Sequence, residues 1–191
     1  MLSRPQQLKI SVAEYMELNR KSEQRYEYID GYAYMLAGGN LAHARIASHL
    51  VREIGRHLLD GPCDVYGSDA QVLLAEERIV FPDVTVSCDE QDRSEGALVI
   101  RNPRLVIEVL SPGTEAYDRS DKFAYYRECP SIEEYVLVNT RRRAVEVYRR
   151  TNGRLWILHP FESDDIVKFS SIDLLLPMNI IYYNVPLTKD K

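Results

Sequence analysis

The sequence is poor in the residues that announce metal clusters, redox centres and nucleotide cofactors. Only three of its 191 residues are cysteine: Cys63, Cys88 and Cys129. They are widely spaced, form no C-x-x-C pair and have no histidine at zinc-finger spacing, which excludes an ordinary structural zinc site. An odd count without a leader peptide points to a reducing, cytoplasmic compartment. The stretch "AGGN" has neither GxGxxG nor GxxxxGK[ST] spacing, so no nucleotide cofactor is expected. No window approaches the roughly 18 apolar residues that a spanning helix needs, and "MLSRPQQLKI" lacks an apolar leader core, so no membrane association is expected. No repeat of solenoid or propeller period is present. The net charge of -5 argues against non-specific coating of nucleic acid, although a local basic groove can sit on an acidic body.

What remains is an ordinary globular composition, 45% hydrophobic and 28% charged, read as a single domain over residues 1–191. "SVAEYMELNR" opens with a capping box, Ser11 with Glu14, and predicts a short helix to about Asn19. "YEYIDGYAYML" predicts a hairpin around Asp30-Gly31, with Tyr26, Tyr28, Ala33 and Met35 on one face and Glu27, Ile29, Tyr32 and Tyr34 on the other. Ile46, Leu50, Ile54 and Leu58 recur every four residues and predict an amphipathic helix, capped by Asn40 and stopped near Gly61. "QVLLAEERIVFPDVTVSCD" reads as a hairpin turning near Glu76 to Arg78, with Val84 and Val86 on one face of its second strand and Asp83 and Thr85 on the other. "RLVIEVL" is a further strand, ended by "SPGT". "DRSDKFAYYREC" predicts a helix with Asp118 as N-cap and Pro130 as its end. "EEYVLVN", "AVEVYRR" and "RLWIL" are strands, the last two paired across Thr151 to Gly153, and the tail from Ser170 carries no clear pattern. The order of elements predicts a mixed sheet with helices packed against it, α/β or α+β.

Within that scheme Glu108 is out of place. It lies in a core-type strand, on the face shared by Val106 and Leu110. A buried carboxylate needs an arginine, a lysine, a metal or a mouth open to water. Asp83, straight after Pro82, raises the same question. Each alone is accounted for by an ion pair at a strand end. Two carboxylates on neighbouring strands repel, and a hard divalent cation between them removes that repulsion.

"FPDVTV" followed by "LVIEVLSPGT…DRSDKFAYYRECPSIEEYVLV" resembles the Uma-type restriction endonuclease family within the PD-(D/E)XK nuclease superfamily. The similarity runs from "SVAEYMEL" through "YEYIDGYAYML" and "HARIASHL" to "VEVYRR". It implies a restriction-endonuclease-like mixed β-sheet flanked by helices, an αβββαβ core with an N-terminal helix and β-hairpin. It also implies hydrolysis of DNA phosphodiester bonds with Mg²⁺ or Mn²⁺ held by Asp83, Glu108 and the Val109 carbonyl. The superfamily lysine belongs two residues after Glu108, where this chain has Leu110. In the Uma-type group that lysine is displaced onto the following helix, and Lys122 is the matching residue; its plain alternative is a solvated helix residue paired with Asp118 or Asp121. Glu27 and His43 match family positions for a further acidic ligand and a phosphate or water contact; a surface pair and a capping role account for them equally. His49 and His57 read as ordinary helix residues, and Asp69 as a lesser candidate.

DNA would meet local basic clusters: Arg101 and Arg104, Arg141 to Arg143, Arg149, Arg150 and Arg154, with a Tyr125 or Tyr126 hydroxyl on a phosphate. A solvated hairpin edge is the preferred reading of Arg141 to Arg143. Duplex cutters often work as symmetric dimers, but no homodimer interface is legible. A nuclease fold that binds without cutting is the alternative that Leu110 favours. A two-carboxylate sugar hydrolase is disfavoured by the single tryptophan, Trp156.

Overall fold

The computed structural model describes residues 9–36 and 38–187. Helix α1 (Val12–Lys21) starts at Ser11, whose side chain accepts from the Glu14 N–H while Glu14 reaches back. Strands β1 (Tyr26–Ile29) and β2 (Tyr32–Met35) form the Asp30-Gly31 hairpin in the expected register, Tyr28 opposite Ala33 and Glu27 opposite Tyr34. The turn has Asp30 at φ 51° and Gly31 at φ 92°, the left-handed pair that an Asp-Gly hairpin needs. Helix α2 (Leu41–Leu58) is capped by Asn40, which accepts from the His43 N–H at 2.9 Å.

The chain continues through β3 (Asp64–Gly67), β4 (Val72–Ala75), β5 (Arg78–Val80), β6 (Val84–Ser87) and β7 (Pro103–Val109). Here the expected single hairpin is corrected. The run that reaches Val86 is cut at Phe81-Pro82, and its two parts join different sheets. Strand β5 pairs with β4 and β1 in a four-stranded sheet, and β6 pairs with β3 and β7 in a six-stranded one. Proline has no N–H to continue a ladder, so the crossing from sheet to sheet falls there.

A three-residue helix α3 (Glu115–Tyr117), a π-helical turn (Asp118–Lys122) and α4 (Phe123–Glu128) follow β7. Asp118 is therefore not an N-cap. Its backbone is helical and its N–H bonds the Thr114 carbonyl at 2.9 Å. Strands β8 (Glu134–Val138), β9 (Ala144–Arg150) and β10 (Trp156–Glu162) complete the large sheet, in the order β10-β9-β8-β7-β6-β3; only the β7–β8 pairing is parallel. The unpatterned tail from Ser170 supplies β12 (Leu174–Pro177), which pairs with β11 (Ile166–Phe169) just before it, and a short helix α5 (Met178–Ile181).

Two cores sandwich the large sheet. On one face Ile46, Leu50 and Ile54 of α2 pack on Val84, Val86, Leu105, Ile107 and Val109. On the other, Tyr126 of α4 packs with Val106, Leu110, Tyr135 and Leu137. The fully buried aliphatic side chains contribute about 1.5–3 kcal/mol each, enough to fix the register of β6 and β7 and the seats of α2 and α4. The fold is thus a mixed α/β arrangement of sheets flanked by helices. Among the described residues no helix is long and apolar enough to cross a membrane.

The cysteines depart from the sequence reading. Register sets Asp64 opposite Ser87, which brings Cys63 and Cys88 opposite each other just beyond the paired residues, and the two are joined as a disulfide. Their separation in sequence hid an adjacency that only strand pairing creates. Cys129 is buried and free.

Candidate active site

The site forms where β6 begins and β7 ends, two neighbouring strands in the middle of the large sheet. Asp83 lies one residue before β6, and its Oδ2 accepts the Val109 N–H at 2.7 Å. Pairing of Val84 with Ile107 continues outward to set Asp83 beside Glu108. From the α2 side, His43 brings Nε2 to 3.1 Å from Asp83 Oδ2. The ring needs Gly39 to stand there: a Cβ on Gly39 would lie 2.6 Å from the His43 Cγ and Nδ1. Asn40 holds the first turn of the same helix. Gly39 and Asn40 are thus a mount for an imidazole.

From the other face comes Lys122. It is not a solvated helix residue: it is buried, with Nζ 2.8 Å from Glu108 Oε1 and 3.0 Å from Glu27 Oε1. Glu27 is not a surface hairpin residue either. It is buried on β1, and its Oε1 also accepts the Phe81 N–H at 3.2 Å, tying the small sheet to the Pro82-Asp83 crossing. Glu108 is buried and receives a further bond from the Tyr126 hydroxyl at 2.6 Å. Asp118 is buried, and its charge bears on His43, Glu108 and Lys122. The sequence reading treated Asp118 only as a cap or surface partner. Its signal was present in the four-residue spacing to Lys122, which sets both on one side of a helical turn.

The electrostatics follow from four carboxylates around one ammonium. Burial pushes the Glu108 carboxyl up to about 8; Lys122 pulls it down, and the charges of Asp118 and Asp83 push it up again. Asp118 is also raised, first by burial, with Lys122 and a hydrogen bond from Thr114 opposing. Burial disfavours the Lys122 ammonium, but the charges of Glu108, Glu27 and Asp118 outweigh it and hold Lys122 well above the ordinary lysine value. Burial lowers the His43 pKa as well, yet the bond to Asp83 and its charge win, and the net shift is upward. Four carboxyl groups thus crowd one ammonium and one imidazole.

That charge balance bears on the divalent cation that the family resemblance implies. Asp83 Oδ2 already holds two donors, the His43 ring at 3.1 Å and the Val109 N–H at 2.7 Å. Asp83 Oδ1 and Glu108 Oε2 accept no hydrogen bond among the described residues. Hard oxygen donors in excess of protein cations suit Mg²⁺ or Mn²⁺. Among the described residues no group of three or more His, Cys, Asp or Glu is arranged to hold a metal by itself.

Position 110 cannot supply the lysine. Leu110 is buried in the core with Val106 and Tyr126. Asp69 is exposed and pairs with Arg25 at 2.6 Å, away from the cluster. His49 and His57 bond the Ile181 and Ile172 carbonyls, a packing role. Several expected DNA contacts are spent inside the molecule. Arg149 pairs with buried Glu134, Arg150 caps the Ile132 and Cys129 carbonyls, and Arg104 pairs with Glu133. Arg141, Arg142 and Arg143 each have an acidic partner on the surface. Tyr126 gives its hydroxyl to Glu108, and Tyr125 lies under the Arg78 guanidinium.

Comparison with known proteins places the chain in a family. The family described as "Uma2: Putative restriction endonuclease" matches residues 12–178. The uncharacterized protein slr1290 of Synechocystis is 33% identical over 91% of this chain and 92% of its own length. A second uncharacterized Synechocystis protein, sll1609, is 30% identical over 78% of this chain and 85% of its own. The fold is similar to the crystal structure of a putative nuclease of the DUF820 group from Anabaena variabilis, with a TM-score of 0.72 and 20% identity over 91% of this chain and 97% of that one. The chain belongs to the Uma2 family.

Proposed function

We propose that the protein is a metal-dependent endonuclease of the PD-(D/E)XK type, hydrolysing DNA phosphodiester bonds on an αβββαβ core. The observation that carries the reading is the meeting of Asp83 and Glu108 on adjacent strands with the Lys122 ammonium 2.8 Å from Glu108. Asp83, Glu108 and the Val109 carbonyl would hold Mg²⁺ or Mn²⁺. When bound, such an ion polarises a phosphate oxygen and lowers the pKa of a coordinated water.

The chain's own residues do the rest. Lys122 has three N–H donors; two go to Glu27 and Glu108, and the third is left for a water or a phosphate oxygen. Glu27 and Glu108 keep that ammonium charged and fixed, which supplies catalytic placement without reorganisation. His43 orients Asp83 and carries a proton at the rim of the pocket. The β6–β7 ladder and the two cores hold these groups on rigid elements rather than on loops.

The test is purified protein on duplex and single-stranded DNA, with and without Mg²⁺ or Mn²⁺, beside Asp83→Asn and Lys122→Ala. Cleavage that needs the ion and is lost in both variants supports the reading; equal cleavage by wild type and Lys122→Ala sinks the site assignment. A second reading, a nuclease fold that binds nucleic acid or a partner without cutting, is favoured by Leu110 in the lysine position and by the burial of Lys122. DNA binding with no ion uptake in calorimetry, and no cleavage, would select it.

A further inference from the structure

Lys122 and Tyr126 stand four residues apart in the run from the π turn into α4, so their side chains lie along one side of that helix. Both donate to the same atom. Glu108 Oε1 accepts from Lys122 Nζ at 2.8 Å and from the Tyr126 hydroxyl at 2.6 Å. Two charge-assisted bonds to one oxygen fix the carboxylate's rotation. With Oε1 holding both donors, Oε2 is the oxygen left to face the site. Tyr126 cannot drift from this pose. Its ring is fully buried and packs on Tyr135 at 4.9 Å between centroids. Tyr135 in turn gives its hydroxyl to the Asp118 carbonyl at 2.9 Å and stacks on Phe123. The aromatic layer thus connects the π turn, α4 and β8 to one torsion angle of Glu108.

We propose that Tyr126 is a positioning residue that, with Lys122, saturates Glu108 Oε1 and so presents Glu108 to the divalent cation as a single-oxygen ligand through Oε2. This rests on the metal-dependent reading above and deepens it. The lysine missing from position 110 is then replaced by a two-donor clamp from the helix, not by a lysine alone. The consequence is selectivity. Mg²⁺ demands near-octahedral geometry with short bonds, whereas Ca²⁺ tolerates bidentate carboxylates and irregular shells. A carboxylate locked to one oxygen favours the smaller ion. Loss of a hydrogen-bond partner to a metal ligand typically weakens binding by about 10- to 100-fold.

Tyr126→Phe keeps the ring and removes only the donor. Calorimetric titration of the whole chain with MgCl₂, MnCl₂ and CaCl₂ is the test. The expected result is about 10-fold or greater weakening for Mg²⁺ with a much smaller change for Ca²⁺, so that the Mg²⁺/Ca²⁺ preference falls. Tyr135→Phe removes a hydroxyl from the same aromatic layer that does not touch Glu108, and it should keep the wild-type preference. A merely structural Tyr126 would weaken all ions alike, or change melting temperature with no change in preference; either result overturns the proposal. Wild type that takes up no divalent ion overturns it together with the nuclease reading. If Tyr126→Phe changes the ion preference while wild type cuts no DNA, the nuclease reading fails and this one stands. If wild type cuts DNA and Tyr126→Phe has an unchanged preference, the reverse holds.

Discussion

Glu108 and Glu134 are buried glutamates on adjacent strands, β7 and β8, and they have opposite fates. Glu134 has both oxygens occupied. Oε1 accepts from Arg149 at 2.7 Å and from the Ser170 N–H at 3.0 Å, and Oε2 from the Ser171 N–H and hydroxyl at 2.9 and 2.6 Å. Glu108 has one crowded oxygen and one open, and it shares a single ammonium with Glu27 under the charge of Asp118 and Asp83. The Glu108 carboxyl is pushed up to about 8, by burial first and then by the charges of Asp118 and Asp83, with Lys122 opposing. Burial alone therefore does not mark a site. What separates the two is whether the fold itself finishes the hydrogen bonding. At Glu134 it does, and the residue ties the tail to the sheet. At Glu108 it stops one oxygen short.

The largest expected effect is a stability loss at the finished carboxylate. Glu134→Gln leaves Arg149 without its counter-charge in a largely buried seat and weakens the bonds to Ser170 and Ser171. Breaking a buried pair costs about 3–5 kcal/mol, and urea denaturation should read a loss of that order. Glu108→Gln should lose far less, because Lys122 keeps Glu27 and a carboxyl already raised to about 8 gives up little charge on becoming an amide. Equal losses in the two variants would erase the distinction between them.

Lys122→Met is next. It strips the ammonium from Glu27 and Glu108, yet the penalty is limited because Glu108, already raised to about 8, can take up a proton instead. We expect a loss of about 2 kcal/mol at pH 8, with recovery as the pH falls toward 5. A loss independent of pH would show that the carboxylates do not absorb the change by protonation.

The pH dependence of wild type sharpens the same point. The Glu108 carboxyl is raised from 4.5 to about 8 on folding, so between those values the folded chain binds more protons than the unfolded one. Its contribution to stability therefore increases as the pH falls from 8 toward 4.5 and decreases as the pH rises through that window. Glu108→Gln should remove this slope, measured as the change in unfolding free energy between pH 5 and pH 8. A Glu108→Gln slope equal to that of wild type would mean that Glu108 titrates normally.

Much of the frame behind these effects was legible in the residues. The capping box at Ser11, the Asp-Gly hairpin, the four-residue period of Ile46 to Leu58 and the carboxylate in an apolar strand each follow from local rules, and each falls where expected. Glu27, His43, Asp83, Glu108 and Lys122 fall into one cluster of contacts. What was not legible depends on contacts between distant segments. The split at Pro82 needs a second sheet to receive β5. The Cys63–Cys88 bond needs β3 laid on β6. Asp118 looked like a cap because a π turn inside a helical stretch leaves no plain mark in sequence. Glu134 drew no attention because its partners lie 15, 36 and 37 residues away.

The smallest expected effect tests the rim of the open site. His43 reaches Asp83 only because position 39 has no Cβ; an added one would stand 2.6 Å from the ring, closer than side chains approach. Gly39 does not have the positive φ that would strain an alanine, so Gly39→Ala should leave the backbone intact and push the imidazole aside. Burial opposes the His43 imidazolium, and the bond and charge of Asp83 overcome that opposition. Once the ring is displaced from Asp83, its titration midpoint should fall. A histidine with a raised folded pKa contributes stability that is present at low pH and lost as the pH rises through that pKa. Gly39→Ala should therefore cost about 1 kcal/mol or less below pH 6 and almost nothing above pH 8. Imidazole proton NMR across that range reads the midpoint directly. An unshifted midpoint would show that the glycine serves the loop and not the histidine, and the open carboxylate at Asp83 would then have no dedicated mount.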